Sequence, residues 1–171
     1  MQPELFLISR SGPGQLAIMA RPRGGDQLKG DLAGLADAGV SILVSLLTDE
    51  EMDELGLGRE EAAATAAGLE FLRLPTPDLG IPETMSTRTM AGILRSRLGG
   101  GAGVAIHCWA GIGRSSTLAA AVLVYEGRAP AEAWDLIGAA RGMTVPETLG
   151  QRAFIERLAG VRPAEYPYPP S

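Results

Sequence analysis

The sequence contains one cysteine, Cys108, and one histidine, His107. A single cysteine has no intrachain partner for a disulfide or a C-x-x-C redox pair, and the two residues together cannot supply a zinc ligand set. Disulfide-scaffold, thioredoxin-like and metal-binding roles are therefore excluded, and no cofactor is expected. An unpaired thiol is typical of a reducing compartment, which predicts a cytoplasmic protein.

Long apolar stretches and an excess of basic charge are also lacking. The chain has no run of about 18 apolar residues, and its first residues lack the basic start and cleavage site of a secretory signal, so no membrane contact is expected. The net charge of -5 argues against general nucleic-acid binding, which needs a basic surface.

The chain does have enough apolar residues for one core. Its 171 residues are 46% apolar and include no repeat or low-complexity tract. This composition predicts a single domain over residues 1–160, followed by a proline-rich tail over residues 161–171. Nothing in the sequence indicates an oligomeric state.

Strand-length apolar runs alternate with helical patterns along the chain. Short strands are predicted over residues 4–8 and 16–20 as a hairpin-like start, and further strands over residues 40–47, 70–74 and 104–108. Helices are predicted over residues 27–38, 59–67, 84–98, 115–126, 130–141 and 147–160, with a helical turn that begins at the N-cap Thr48. This alternation predicts an α/β fold with a central, mostly parallel sheet flanked by helices.

The segment that follows the last predicted strand contains both unique residues. It reads HCWAGIGRSS over residues 107–116, between an apolar strand and an apolar helix. A loop in this position points its backbone N–H groups inward, and the helix dipole adds partial positive charge, so it favours an anion. Gly111 and Gly113 let the backbone curl around the anion, and Arg114 offers a planar fork to two of its oxygens. Cys108 at the floor of this cradle is favoured as the thiolate.

This segment resembles the H-C-x5-R-S/T signature of the protein-tyrosine phosphatase superfamily, and the chain length matches its small dual-specificity branch. The resemblance covers about residues 35–160. It implies that Cys108 attacks phosphorus and becomes a phosphocysteine, that Arg114 holds the equatorial oxygens and that Ser115 steadies the departing thiolate. His107 would support the loop and tune the thiol.

The same resemblance implies which residues hold the phosphate and that no metal is needed. Phosphate, sulfate or vanadate is expected to bind the loop formed by Trp109, Ala110, Gly111, Ile112, Gly113 and Arg114.

Phosphate-ester cleavage also needs a general acid for the leaving oxygen, and later a base for the attacking water. Asp78 is the candidate, in the loop PTPDLGIP over residues 75–82. This loop is similar to the D-x-G-x-P pattern of kinase-associated-phosphatase-like enzymes and departs from the tryptophan-proline-aspartate form of the larger tyrosine-specific enzymes. The alternative is that Asp78 merely caps a turn.

Three further features have two interpretations each. Trp109 forms a wall of the substrate pocket or, as the sequence slightly favours, packs the loop against the sheet. Gln151 positions a water molecule or, as favoured here, is an exposed helix residue. The acidic residues 49–51 include a general acid or, as favoured, follow the dipole at a helix start.

The resemblance implies hydrolysis of phosphotyrosine, and of phosphoserine or phosphothreonine, in a protein or peptide substrate. Two alternatives remain open. One is the same fold acting on an inositol phosphate, a phosphoinositide or an RNA 5′-phosphate, although residues 109–113 lack the basic side chains usual in relatives that act on highly charged headgroups. The other is a catalytically weak pseudophosphatase that binds phosphate.

Overall fold

The computed structural model describes residues 3–160. The tail predicted over residues 161–171 lies outside the described residues. Five strands form one sheet, namely β1 (Phe6–Leu7), β2 (Gln15–Ala20), β3 (Ile42–Ser45), β4 (Glu70–Arg73) and β5 (Gly103–Cys108). The spatial order is β1-β2-β5-β3-β4, and only β1 runs antiparallel to its neighbour. The predicted mostly parallel sheet and hairpin-like start are confirmed.

Two strands are at least three residues shorter than the sequence predicts. The first was expected over residues 4–8 and covers Phe6–Leu7, and the third was expected over residues 40–47 and covers Ile42–Ser45. Strand β1 lies at the edge of the sheet and pairs with β2 alone, so only residues that face β2 can join the ladder.

In the described part of the chain, seven helices cover the two faces of the sheet. They are α1 (Leu28–Asp37), α2 (Asp49–Glu54), α3 (Glu60–Ala66), α4 (Thr84–Gly99), α5 (Arg114–Tyr125), α6 (Pro130–Arg141) and α7 (Leu149–Ala159), and a short 3-10 turn (Gly25–Gln27) precedes α1. One core cluster joins the sheet to α4–α7, and a second joins its other face to α1–α3. None of the helices within residues 3–160 is long and apolar enough to cross a membrane.

Helix α5 is buried on all sides. All twelve of its residues are buried, because it packs against β5 and lies between α4, α6 and α7. Its sequence is apolar around the whole circumference apart from the first turn, as such a position requires. Arg114 is the first residue of this helix. Because the helix is packed on all sides, Arg114 is held in a fixed position at the edge of the sheet.

Strand β5 lies between β2 and β3, and all three run parallel. Ala20 at the end of β2 is in register with Cys108, and Ser45 at the end of β3 is in register with His107. Because carboxyl ends of parallel strands share one edge, the segments that follow these strands meet around Cys108.

Candidate active site

Residues 109–113 form a tight loop between β5 and α5. Gly111 has φ +70°, and a Cβ atom there would lie 2.5 Å from the Met19 backbone carbonyl carbon. A Cβ atom on Gly113 would overlap the Glu147 carboxylate. Gly111 is therefore required both by its left-handed conformation and by the neighbouring backbone, whereas the neighbour of Gly113 is the end of a flexible side chain. Trp109 and Ala110 are exposed, and Ile112 is half-buried.

The thiol of Cys108 lies at the base of this loop. The residue is only 3% exposed, and its Sγ atom is 3.4 Å from the Ser115 Oγ atom. The Ser115 side chain is fully buried in the first turn of α5. A hydroxyl at this distance can donate a hydrogen bond to a thiolate, which is the role that the family resemblance implies for Ser115.

Hydrogen bonds to Glu51 and Thr76 hold the Arg114 guanidinium in place. Its Nη1 donates to Glu51 Oε2 at 2.7 Å and to the Thr76 carbonyl at 2.8 Å, and its Nη2 donates to Glu51 Oε1 at 2.9 Å. Arginine has five N–H donors, so Nε and the second Nη2 hydrogen are not used by Glu51 or Thr76. Asp78 Oδ1 lies 3.3 Å from Nη2, and phosphate oxygens would bind this edge in its place. Burial opposes the charge, but the Glu51 hydrogen bonds and the electrostatic interaction with the nearby Cys108 raise the pKa of Arg114 above its ordinary value.

Glu51 is a functional neighbour that the sequence interpretation missed. Residues 49–51 were assigned to a helix start, and that assignment is confirmed, since Thr48 caps α2 in a capping box with Glu51. The same Glu51 carboxylate also binds Arg114, which is 63 positions further along the chain. The T-x-x-E spacing could have singled out Glu51 among the three acids, but it gave no signal for the arginine.

Glu51 gives a prediction about stability and pH. Burial opposes its charge, but the hydrogen bonds from Arg114 and Thr48 hold the pKa of Glu51 below its ordinary value. A lowered pKa in the folded state contributes stability above the ordinary pKa and loses it as the pH falls through the folded value. We expect Glu51→Gln to lower the free energy of unfolding at pH 7 by about 1–3 kcal/mol, and to lose less stability than the wild type between about pH 5 and pH 3.

Urea unfolding at pH 7, and across the interval from about pH 5 to pH 3, measures the free energy of unfolding of each variant. Glu50→Gln, an exposed residue of the same helical turn, is the matched control and should match the wild type at both. Equal acid sensitivity of Glu51→Gln and the wild type would contradict the assignment.

The loop between β4 and α4 brings Asp78 to the cradle. Its Oδ1 atom lies 3.3 Å from Arg114 Nη2, and its side chain is 68% exposed. The same atom accepts a hydrogen bond from the Leu79 N–H at 3.0 Å, so the turn-capping contact is also present. Leu79 has φ +57°, a left-handed conformation that costs a non-glycine residue about 1 kcal/mol. The loop therefore holds a strained shape next to the proposed acid.

Gln151 ties this loop to the start of α7. Its Nε2 donates to the Gly80 carbonyl at 3.1 Å, and its Oε1 accepts from the N–H groups of Glu147 and Thr148. The residue is fully buried, so the interpretation as an exposed helix residue is wrong. The capping box with Thr148 turns the side chain inward. Gln151 thus fixes the position of the segment two residues beyond Asp78.

His107 contacts a second buried acid from α3. Its Nε2 lies 2.7 Å from Glu60 Oε1, and both side chains are fully buried. The Glu60 carboxylate has no other polar partner among residues 3–160. His107 Nδ1 lies 3.4 Å from the Cys108 carbonyl. Because a buried carboxylate needs a polar partner, this contact fixes the imidazole directly behind the cysteine.

The outer side of the loop is held by Arg141 at the end of α6. Its Nε donates to the Gly111 carbonyl at 3.0 Å and its Nη2 to the Ala110 carbonyl at 3.4 Å, while its Cζ lies 4.1 Å from the Phe6 ring centroid. A cation on these carbonyl oxygens favours the orientation in which the N–H groups of the loop face the cradle. Trp109 is 38% exposed and its ring lies beside Arg21, so the residue is only partly covered by its neighbours.

Comparison with known proteins identifies the family. A family model described as "Polymorphic toxin system, DSP-PTPase phosphatase" matches residues 17–128. The chain belongs to this phosphatase family. Among curated proteins, no sequence matches the chain.

Solved structures show the same fold. The structure of kinase associated phosphatase, with its catalytic-site cysteine replaced by serine, has a TM-score of 0.83 at 19% identity and covers 94% of this chain and 96% of its own. Tk-PTP in its active form has a TM-score of 0.72 at 25% identity, covering 90% and 96%. PTPMT1 in complex with PI(5)P has a TM-score of 0.72 at 23% identity, covering 85% and 90%. The resemblance to the dual-specificity branch of the protein-tyrosine phosphatase superfamily is confirmed.

The protein is thus a cysteine-based phosphatase with the dual-specificity fold. The structure brings Cys108, Ser115, Arg114 and Asp78 of this phosphatase to one edge of the sheet. Glu51, Glu60 and Arg141 complete their surroundings, and no local pattern marked the last two as part of the site.

Proposed function

We propose that this phosphatase hydrolyses phosphotyrosine in proteins, with phosphoserine and phosphothreonine as further substrates, through a phosphocysteine intermediate. One arrangement carries the proposal. A cysteine faces a buried serine hydroxyl at 3.4 Å, at the foot of a loop whose following arginine lies 3.3 Å from an exposed aspartate. A nucleophile, a leaving-thiolate donor, an anion clamp and an acid are thus together.

The first step forms a phosphorus–sulfur bond. The Cys108 thiolate attacks phosphorus, and the bond from phosphorus to the leaving oxygen breaks as Asp78 donates a proton to that oxygen. Arg114 binds two of the three spectator oxygens through its Nε and Nη2 edge, where a phosphate oxygen displaces Asp78 Oδ1 from Nη2. Because Glu51 already holds the opposite edge, the clamp needs little rearrangement when phosphate enters.

The second step hydrolyses the phosphocysteine and regenerates the free enzyme. Asp78, now a carboxylate, takes a proton from water as the water attacks phosphorus, and the phosphorus–sulfur bond breaks. Ser115 donates a hydrogen bond to the departing thiolate, which favours cleavage of that bond. Inorganic phosphate then leaves the cradle. We also propose a cytoplasmic location, since an unprotected thiolate nucleophile must stay reduced.

The surroundings of the cradle favour an aromatic phosphate ester. Leu79 and Ile81 beside Asp78, and Trp109 beside Cys108, are exposed apolar side chains. Such side chains can contact a phenol ring. The loop residues 109–113 contribute no cationic side chain, whereas a polyphosphorylated headgroup needs several charges to be neutralised. PTPMT1 in complex with PI(5)P shows that the fold admits a phosphoinositide, so this ester belongs in the test.

A substrate panel tests the proposal. We expect kcat/KM for a phosphotyrosine peptide to exceed that for inositol phosphates and for PI(5)P vesicles by about tenfold or more, a transition-state difference of about 1.4 kcal/mol. Matched phosphoserine and phosphothreonine peptides give the breadth of specificity, and vanadate should inhibit all turnover. Preferred turnover of the phosphoinositide would overturn the protein substrate, and the absence of vanadate-sensitive turnover on every substrate would overturn the mechanism.

A further inference from the structure

Arg21 lies next to the phosphate cradle, outside the residues that form it. It follows Ala20, the last residue of β2, which is in register with Cys108. The backbone N–H of Arg21 donates to the Trp109 carbonyl at 3.3 Å. Gly111 approaches the Met19 backbone so closely that a side chain there would overlap it. The end of β2 and the phosphate-binding loop are therefore in direct contact, and Arg21 is attached to that junction.

The Arg21 guanidinium has no anionic partner within residues 3–160. Its Cζ lies 5.6 Å from the centroid of the partly exposed Trp109 ring, and its Nε is buried without a hydrogen-bond partner. Within the described residues, no carboxylate lies within ion-pair distance of it. Several other arginines do have a carboxylate partner, namely Arg23 with Asp31, Arg73 with Asp49 and Arg97 with Glu70.

The opposite side of the loop has the reverse charge. The Glu147 carboxylate lies against Gly113, so an acidic group of a substrate is repelled there. Of the other acids near the loop, Glu51 and Asp78 both lie against Arg114, and Glu60 is buried against His107. A substrate that places phosphate in the cradle therefore meets positive charge on the β2 side and negative charge on the α7 side.

We propose that Arg21 and Trp109 form a second anion-binding subsite, and that the preferred substrates are phosphopeptides with an acidic residue on one side of the phosphorylated residue. The inference rests on the proposed protein phosphatase activity. Stacking on Trp109 favours one orientation of the guanidinium plane. Because Nε is buried, the two terminal nitrogens are the donors that would meet the two oxygens of a substrate carboxylate. Because Glu147 repels an acidic residue on the other side of the loop, the acidic residue is favoured on only one side of the phosphorylated residue.

Matched peptides test the subsite. Phosphotyrosine peptides carry a single Glu or Gln, moved through each position flanking the phosphotyrosine. We expect the wild type to prefer Glu on one flank by about fivefold in kcat/KM. Arg21→Gln should bring the Glu-to-Gln ratio close to one, and Arg21→Lys should retain part of it. Turnover of nitrophenyl phosphate, which has no second anion, should stay within about twofold in both variants.

Arg157→Gln is the matched control, since this arginine is exposed on the last turn of α7. It should keep the wild-type ratio. A measurement on the wild type alone gives a second test, because raising salt from about 50 to about 500 mM should shrink the ratio if charge carries it.

The possible failures are distinguishable. A ratio of one in the wild type, a ratio unchanged in Arg21→Gln or a ratio insensitive to salt would overturn the subsite while nitrophenyl phosphate is still hydrolysed. The absence of nitrophenyl phosphate hydrolysis by the wild type would overturn the proposed activity itself.

Discussion

Cys108→Ser is expected to lower kcat by about 10⁴-fold or more on every phosphate ester, while a phosphotyrosine peptide still binds with a similar Kd. A serine hydroxyl in the same place has no comparable anionic form at neutral pH, so the phosphorus–sulfur bond has no equivalent. The cradle persists in the variant, because the loop is held by Arg141 and the glycines and the clamp by Glu51.

Steady-state turnover and titration calorimetry with the same peptide separate the two effects. Ser116→Ala is a control for side-chain changes near the loop, since Ser116 is buried one position beyond Ser115 and its hydroxyl has no partner among the described residues. It should keep most of the activity. Residual turnover above about one part in a hundred in Cys108→Ser would move the nucleophile elsewhere.

Asp78→Asn is expected to have the second-largest effect, and its size should depend on the leaving group. General acid catalysis contributes about 10²- to 10⁴-fold, and most where the leaving oxygen is strongly basic. We expect a loss in this range on a phosphoserine peptide or another alkyl phosphate and a clearly smaller loss on nitrophenyl phosphate. An asparagine keeps the shape of the loop, and its side-chain oxygen still accepts from the Leu79 N–H.

The comparison of kcat across leaving groups is the measurement. Glu83→Gln provides the matched control, since Glu83 is an exposed acid of the same connection that caps α4 through the N–H groups of Met85 and Ser86. That variant should keep the wild-type dependence on the leaving group. A uniform loss across all esters in Asp78→Asn would assign Asp78 a structural role and place the acid elsewhere.

Much of the fold follows from local patterns. The predicted central strand over residues 104–108 and helix over residues 115–126 match β5 and α5 to within a residue, because apolar periodicity and the glycine-containing loop between them are local signals. Thr48 as an N-cap is confirmed for the same reason. The motif from His107 to Ser115 is contiguous, so the identity of the cradle was readable without knowing how the chain folds.

Contacts between segments that are distant in the chain could not be predicted from the sequence. Nothing in the sequence distinguished Glu51 from Asp49 and Glu50 as a partner of Arg114. The contact forms because β3 lies beside β5, which brings α2 against Arg114. Gln151 looked exposed on its helix, yet it is buried because the loop that carries Asp78 lies over the start of α7. Periodicity reports which face of an element is apolar, but it does not report which other element covers that face.

By itself the sequence determined the chemistry of the site: one thiol, one histidine, a loop that can curl and an arginine at the start of a buried helix. Those properties reside in neighbouring residues and in backbone geometry that neighbouring residues dictate. The tertiary structure alone decided which groups surround that chemistry, namely Glu51 behind Arg114, Glu60 behind His107 and Arg21 beside Trp109. These pairings depend on the strand order β2-β5-β3, which comes from packing the whole chain around one core and from no single segment.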